Sequence, residues 1–416
     1  MKVLQLSTDD GRGGAGVAAR RLHLLLRNAG EDSQLLVKDL VAGTHAAQSL
    51  VTNLPTKLRE GTREILDQLP LRLYPRRKHD YFSPGIYSAN LTTQLREIKP
   101  DVVHLHWGLR GFVSAETLTK IPQPIVWTLH DMWALTGGCH YSADCLRYRI
   151  GCGKCPALGS RALWDLSRWN WRRKFKSYKR KPLHIISPSR WLAGLVRQSS
   201  LLGHATVDVL PNPIDTGIFR PWDRAFAKSC LRLPSDLPLV VCGAVSQNEP
   251  RKGFDLLVKA LDHYTQRAGN LEIALILFGP TSNLRFPPPK KIRVIYLGVL
   301  EDEITLSMLF NSADALVLPS REENLSLTLT EALCCGARCV AFDVGGNGDL
   351  VLHQNNGYLA KPFDSEDLSN GLAWTLADAA SASRDVIARE AQALVSPEVL
   401  IPRFIDIYQK CLRQNP

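Results

Sequence analysis

The chain has no run of 18 or more apolar residues, which excludes a membrane-spanning helix of ordinary length. Its first residues, "MKVLQLSTDDGRGG", lack an apolar stretch of signal-peptide length and turn acidic, then glycine-rich, at once. No short repeat or low-complexity tract is present, so neither a solenoid nor a disordered array is expected. These absences lead to an expectation of a cytosolic protein. The ten cysteines then argue for reduced thiols or a metal site rather than disulfides.

What is present is an ordinary globular composition, 45% hydrophobic and 22% charged. At 416 residues the chain exceeds what one hydrophobic core usually serves, so two domains are expected. The net charge of +11 is concentrated. Nine Lys/Arg and one Asp between Arg161 and Lys181 give a local +8. A basic patch of that kind needs a local explanation.

Apolar strands alternate with amphipathic helices, which argues for an α/β protein with parallel sheets. Val3 to Leu6 reads as a strand, "GRGGAG" as a loop, and Val17 to Asn28 as a helix with Gly30 as its C-cap. Strands follow at "SQLLVK", "DVVHLHW" and "PIVWTLH". The pattern restarts at "LPLVVCGAV" and runs through "GFDLLVKALDHYTQ" to "RCVAFDVGG". The proline-rich "VLPNPIDTGIFRP" suits a linker. The expected domains are 1–210 and 211–396, with a C-terminal helix over about 397–416 packing back on the first.

Gly11, Gly13 and Gly16 satisfy G-x-G-x-x-G between a strand and a helix, where backbone and helix N-terminus favour a phosphate. Asp39 stands where a dinucleotide-binding site wants an acidic residue. An NAD(P)-dependent oxidoreductase is therefore one reading. A ligand-free βα turn and a phosphate loop of another kind of enzyme, with Gly13 and Gly14 at the substrate, are the others. A non-catalytic binding protein held by the basic patch is a further alternative.

In "REENLSLTLTEALCCG", Glu323 and Glu331 are separated by seven residues. On a helix, Leu325, Leu329, Ala332 and Leu333 form a core-facing stripe and Glu331 lies off it. Eight positions span roughly 12 Å at 1.5 Å per residue, which compares with the reach from a sugar across a diphosphate to a ribose. The N–H groups of Asn324, Leu325 and Ser326 would meet an anion between the two. The plain alternative is a solvated helix flank.

At this point the sequence resembles a known family. "SREENLSLTLTEALCCGARCVAFDVGG" is similar to the E-x7-E signature of the retaining family-4 glycosyltransferases, built from two Rossmann-like domains facing a cleft (the GT-B fold). "GRGGAGVAARRL", "TLHDMWALTGGCHY", "IISPSRWLA", "VLPNPIDTGIFRP", "PRKGFDLLVKAL" and "VIYLGVLEDEITLSMLFNSADALVLPS" match in order and spacing. The "HDMWALTGGCHY…GCGKCP" variant resembles the bacterial exopolysaccharide branch of the colanic-acid type. The resemblance implies that Glu323 binds donor-sugar hydroxyls, Glu331 the ribose, and Lys252 the diphosphate leaving group. It implies base selection near Gly298 and Val299. Where the family usually has a second cation, this chain has Ser246, and Arg251 is the candidate substitute. Asn324 stands where glycine is commoner. The implied partners are a nucleotide-diphosphate sugar and a lipid-linked glycan acceptor, and catalysis by this fold generally needs no metal.

Among the histidines, His104 and His106 share a strand face and are candidates for hydrogen-bonded core positions. His130 follows a strand end, where ligands meet open α/β sheets. By position and by resemblance it is expected to hydrogen-bond the donor phosphate or sugar. Cys139, Cys145, Cys152 and Cys155 suit a structural tetrahedral zinc, although their spacings are not those of a familiar finger. Two disulfides and free thiols are the other readings. In "LWDLSRWNWRRKFKSYKRK", Trp164, Trp171, Phe175 and Tyr178 lie roughly on one helical face among cations. That suits an anionic membrane surface on the cytoplasmic side, or simple packing with a solvated basic face. No nucleic-acid-binding motif accompanies it, and no nucleic acid is expected.

Overall fold

Short segments that are apolar on both faces form parallel sheets covered by helices on either side. The computed structural model, which describes residues 1–414 apart from 12, 42–45, 78–81, 244–248, 268–271, 281–285, 301 and 378–382, shows two such sheets. The first contains β1 (Lys2–Asp9), β2 (Asp32–Asp39), β3 (Gln48–Ser49), β4 (Val102–Leu105), β5 (Ile125–Thr128), β6 (Leu183–Ser187) and β7 (Thr206–Val209). The second contains β8 (Leu239–Gly243), β9 (Ala274–Phe278), β10 (Arg293–Gly298), β11 (Ala315–Leu318), β12 (Cys339–Phe342) and β13 (Gly357–Ala360). Their orders are β3-β2-β1-β4-β5-β6-β7 and β10-β9-β8-β11-β12-β13. Neighbouring strands in both are parallel. Each is the doubly wound order of a Rossmann-like domain, and each reverses once, between β1 and β4 and between β8 and β11. Every residue of β4, β5, β11 and β12 is buried, as a sheet covered on both faces requires.

The chain divides into two compact units, residues 1–213 with 400–416, and residues 214–399. In the first, Leu4, Leu6, Val103, Leu105, Ile125 and Ile185 of the sheet pack with Leu192, Val196 and Leu202 in one core. In the second, Val240, Leu275, Leu277, Val317 and Val340 pack against Leu257, Leu261, Leu368 and Leu372 of two helices. The helix Pro397–Gln414 carries the chain back to the first unit. There Tyr408 is buried, and its hydroxyl lies 2.7 Å from His104 Nδ1. Thr128 Oγ1 is 2.8 Å from the other ring nitrogen. His104 is thus a fully satisfied core histidine that fastens the C-terminal helix to β4 and β5.

Candidate active site

In a doubly wound sheet, the loops leaving the two strands at the reversal splay apart and leave a crevice at their carboxyl ends. The segment after β8 forms a turn over Pro250–Lys252 and then enters the helix Phe254–Gln266. The segment after β11 runs through Pro319 to Ser326 and enters the helix Leu327–Cys334. Lys252 and Glu323 therefore come from the two loops beside the reversal, and they meet. Lys252 Nζ donates to Glu323 Oε2 at 3.0 Å, and Arg251 Nη1 stands 3.7 Å from the same oxygen. Arg251 is held by Glu249 Oε1 at 2.9 Å and donates to the Glu322 carbonyl at 3.0 Å. Ser246 lies outside the described residues.

Two glycines make this contact sterically feasible. Gly253 has φ +65°, and a Cβ there would strike the Pro319 carbonyl. Gly345, after β12, has φ +58°, and a Cβ there would strike the carbonyl of Glu323 itself. Left-handed φ and lack of space both require glycine at these positions. Arg321 ties the loops further, with a bidentate pair to Asp255 at 2.8 and 2.7 Å and a hydrogen bond to the Pro250 carbonyl at 2.6 Å.

The Glu323 side chain is 12% exposed. Burial pushes its carboxyl up, but Lys252 and Arg251 outweigh burial and hold it below the usual range. Glu331 is only 5% exposed. Neither glutamate is a solvated helix flank, since a carboxylate that deep needs partners or a ligand. The helix starts later than the spacing suggests. Ser326 is the N-cap, its Oγ accepting from Leu329 N at 3.3 Å, and the helix begins at Leu327. The reason is local: a serine side chain competes for a backbone N–H and ends the extended stretch. Asn324, Leu325 and Ser326 are buried in the approach to the helix rather than in its first turn, so a purely helical 12 Å does not describe the spacing. Leu325, Leu329, Ala332 and Leu333 do face the core. Gly298 closes β10 with φ +68°, and Val299 beyond it is exposed.

In the first unit, His130 follows β5 and is partly buried. Its Nε2 lies 3.1 Å from His106 Nδ1, whose other nitrogen lies 2.8 Å from Gln5 Oε1. With the Gln5 carbonyl accepting from His106 Nε2–H, His106 Nδ1 accepts from His130 Nε2–H, leaving the His130 Nδ1 lone pair to accept. Burial lowers the His130 pKa to about 4 despite Asp131 beside it, so the ring is neutral near pH 7. Asp131, which the sequence reading did not single out, organises the loop. It accepts from Trp133 N (2.7 Å), Trp107 Nε1 (3.0 Å) and His140 Nδ1 (2.7 Å). Gly13 and Gly14 open the helix Gly13–Asn28 and are exposed. Asp39 is engaged by Arg110 and Lys38, at 3.7 and 3.8 Å, which weakens the case for a ribose-binding carboxylate.

The family profile described as "Glycosyltransferase Family 4" matches residues 12–217, and that described as "Glycosyl transferases group 1" matches residues 238–378. The chain is a family-4 glycosyltransferase of the GT-B fold. It is 26% identical over 361 residues to the putative colanic acid biosynthesis glycosyl transferase WcaC of Escherichia coli, covering 82% of this chain and 83% of that one. It is also 26% identical over 355 residues to a D-inositol 3-phosphate glycosyltransferase of Nocardia farcinica, covering 83% and 68%. Among solved structures, a sucrose-phosphate synthase from Thermosynechococcus elongatus superposes with TM-score 0.69 at 18% identity, covering 99% of each chain. Anabaena HepE in complex with UDP and glucose superposes with TM-score 0.67 at 17% identity, covering 99% of this chain and all of that one. An oxidoreductase is thereby set aside.

Two further segments of the glycosyltransferase were singled out by sequence. Cys139, Cys145, Cys152 and Cys155 all line one small cavity, and none forms a disulfide. Gly137 N–H donates to Cys152 Sγ at 3.2 Å. As the side chains stand, no three His, Cys, Asp or Glu among the described residues are grouped to hold a metal ion. The basic segment forms the helix Leu166–Tyr178 and spends much of its charge internally. Lys174 is buried, donating to the Trp133 and Thr136 carbonyls at 2.5 and 3.0 Å. Arg173 pairs with Glu116 at 2.8 and 2.6 Å, and Arg168 donates to the Gly151 carbonyl. Trp171 stacks on Phe175 and packs against the core. Packing accounts for most of this helix, while Trp164 just before it and Trp169 within it stay 59% and 46% exposed.

Proposed function

We propose that the enzyme is a retaining hexosyltransferase that takes its sugar from a nucleotide diphosphate, UDP being the favoured nucleotide. The acceptor we assign is a lipid-linked glycan at a membrane surface, in exopolysaccharide or lipopolysaccharide synthesis. The observation that carries this reading is the meeting of Lys252, Arg251 and Glu323 beside the β8/β11 reversal. As the bond from the sugar to the diphosphate breaks, its electron pair moves to a phosphate oxygen. Fixed cations stabilise that charge most in the transition state. Lys252 is assigned that role, with Arg251 as second cation in place of the family's arginine. Glu323 would take sugar hydroxyls and Glu331 the ribose. The N–H groups of Asn324, Leu325 and Ser326 would face the phosphates, and the backbone at Gly298 and Val299 the base. Gly13 and Gly14 remain candidates for substrate contact. The accepting nitrogen of His130 fits a sugar hydroxyl better than a phosphate. In the mechanism the family implies, the acceptor attacks from the face the leaving group departs, and the leaving phosphate takes the acceptor's proton.

The similarity to WcaC supports the exopolysaccharide assignment, and the UDP and glucose in HepE support the choice of nucleotide. The test is release of nucleoside diphosphate from a panel of UDP-, GDP- and dTDP-sugars. Slow release from one of them is expected, and it should be weakened in Glu323→Ala. Neither binding nor turnover across the panel would overturn the reading.

A further inference from the structure

A surface helix of a water-soluble unit normally turns its apolar stripe inward and its charges outward. The helix Leu54–Gln68, which continues into a tight turn over Leu69–Leu73, turns its acids inward and several of its apolar residues outward. Its start is firmly built: Asn53 Oδ1 accepts from Thr56 N at 3.0 Å, and Thr56 Oγ1 accepts from Asn53 N at 3.1 Å. Within the helix the fully buried residues are two acids, Glu60 and Asp67. Leu54, Leu58, Ile65 and Leu69 are 68%, 63%, 66% and 44% exposed, and Leu73 is 80% exposed. The spacings of 4, 7 and 4 put the first four on one face of the helix.

Each carboxylate of the segment is turned into the protein and used there. Glu60 Oε1 takes Arg63 at 2.5 Å and Arg59 at 3.3 Å. Glu64 is gripped by Lys38 at 2.7 Å and Arg110 at 2.8 Å. Asp67 accepts the backbone N–H groups of Gly85, Ile86 and Tyr87 at 3.2, 2.5 and 3.1 Å. What remains exposed is the aliphatic stripe, with Pro55, Gly61, Thr62 and Gln68, and the cations Lys57, Arg59, Arg72, Arg76 and Arg77. Aliphatic side chains flanked by cations, with the acids withdrawn, match the boundary of an anionic bilayer. An exposed apolar stripe rimmed by polar and cationic residues marks an interaction site.

We infer that the stripe Leu54–Leu58–Ile65–Leu69–Leu73, with Lys57, Arg72, Arg76 and Arg77, docks the enzyme on acidic phospholipid. The inference rests on the lipid-linked acceptor proposed above for its purpose, though not for its geometry. It moves the docking surface from the Trp-rich helix Leu166–Tyr178 to a helix whose apolar residues are free.

Co-sedimentation of the full chain with vesicles of phosphatidylglycerol and phosphatidylcholine tests it. Binding is expected with the mixed vesicles and not with phosphatidylcholine alone, weakening as salt rises. Leu58→Gln with Ile65→Gln should abolish it. Lys57→Ala, Arg72→Ala and Arg76→Ala together should weaken it about a hundredfold, at about fivefold per cation. Donor hydrolysis in solution should be unchanged in both variants. Equal sedimentation of wild type and the glutamine variant would overturn the inference. So would no sedimentation at all, or a dimer in solution that the glutamine variant dissolves in the absence of vesicle binding. Vesicle binding without transfer to any lipid-linked glycan would instead defeat the acceptor assignment and leave the docking surface standing.

Discussion

Replacing Lys252 by methionine keeps most of the unbranched side chain and removes its charge, which separates two roles that one residue could play. In the free enzyme Lys252 holds Glu323 at 3.0 Å, while Arg251 stands 3.7 Å from the same oxygen. If Lys252 only positions Glu323, then Lys252→Met and Glu323→Gln remove the same contact, and the double variant should be no worse than either alone. If Lys252 stabilises the departing diphosphate, its loss removes one fixed donor from the transition state. Such a donor contributes about 3–4 kcal/mol, so kcat should fall about 10²–10³-fold. Arg251, oriented by Glu249 and the Glu322 carbonyl, is already the second cation of this assignment and brings no additional charge when Lys252 is lost. The assay is steady-state release of nucleoside diphosphate from the preferred donor, paired with equilibrium binding of nucleoside diphosphate and nucleoside monophosphate. The diphosphate should bind more weakly to Lys252→Met while the monophosphate binds as before. A kcat within about threefold of wild type, or equal loss of affinity for both nucleotides, would refute the assignment.

Two other outcomes follow from the geometry. His104 is buried between Tyr408 and Thr128, and burial pushes its pKa down to about 3. The unfolded chain takes up that proton near pH 6.5 and the folded chain does not, so stability should fall with pH from 6.5 toward 3 at up to about 1.4 kcal/mol per pH unit. Urea midpoints between pH 6.5 and 4.5 should show a shallower slope in His104→Gln, and an unchanged slope would contradict this account. For the cysteine loop, closure of the four thiols around their shared cavity on one structural zinc is the expectation, at about one zinc per chain by elemental analysis. Cys139→Ser with Cys155→Ser should abolish it, and a metal-free native protein with all four thiols titratable would exclude the site.

The alternation of apolar strands and helices was enough to anticipate two parallel α/β sheets, because a strand buried on both faces leaves a continuous apolar run. The less buried strands were not legible. β7, Thr206–Val209, is at most partly buried and β13, Gly357–Ala360, is half-buried, so neither leaves the continuous apolar run that marks the equally short β4, β5, β11 and β12. The glutamate pair was visible as a pattern, but what makes it a site was not. The glycines beneath Glu323 and Lys252 act through a backbone approach between residues 22 and 66 positions apart, and no local pattern encodes such a distance.

The surface shows the same limit more sharply. By composition, the Trp-rich basic segment was the better candidate for a lipid surface than "LPTKLREGTREILDQLPLRL". Both stretches are amphipathic, and amphipathicity says that a helix has two faces without saying which one the protein covers. The partners decide. Trp171, Lys174 and Arg173 each find a place inside the fold, through the core, two carbonyls and Glu116. For Glu60, Glu64 and Asp67 the inward partners are Arg63, the Lys38–Arg110 pair and the amides of residues 85–87, all but the first distant in sequence. Once those acids are drawn inward, the leucines on the opposite side have no choice but to face out. The exposed stripe is therefore a consequence of long-range polar pairing.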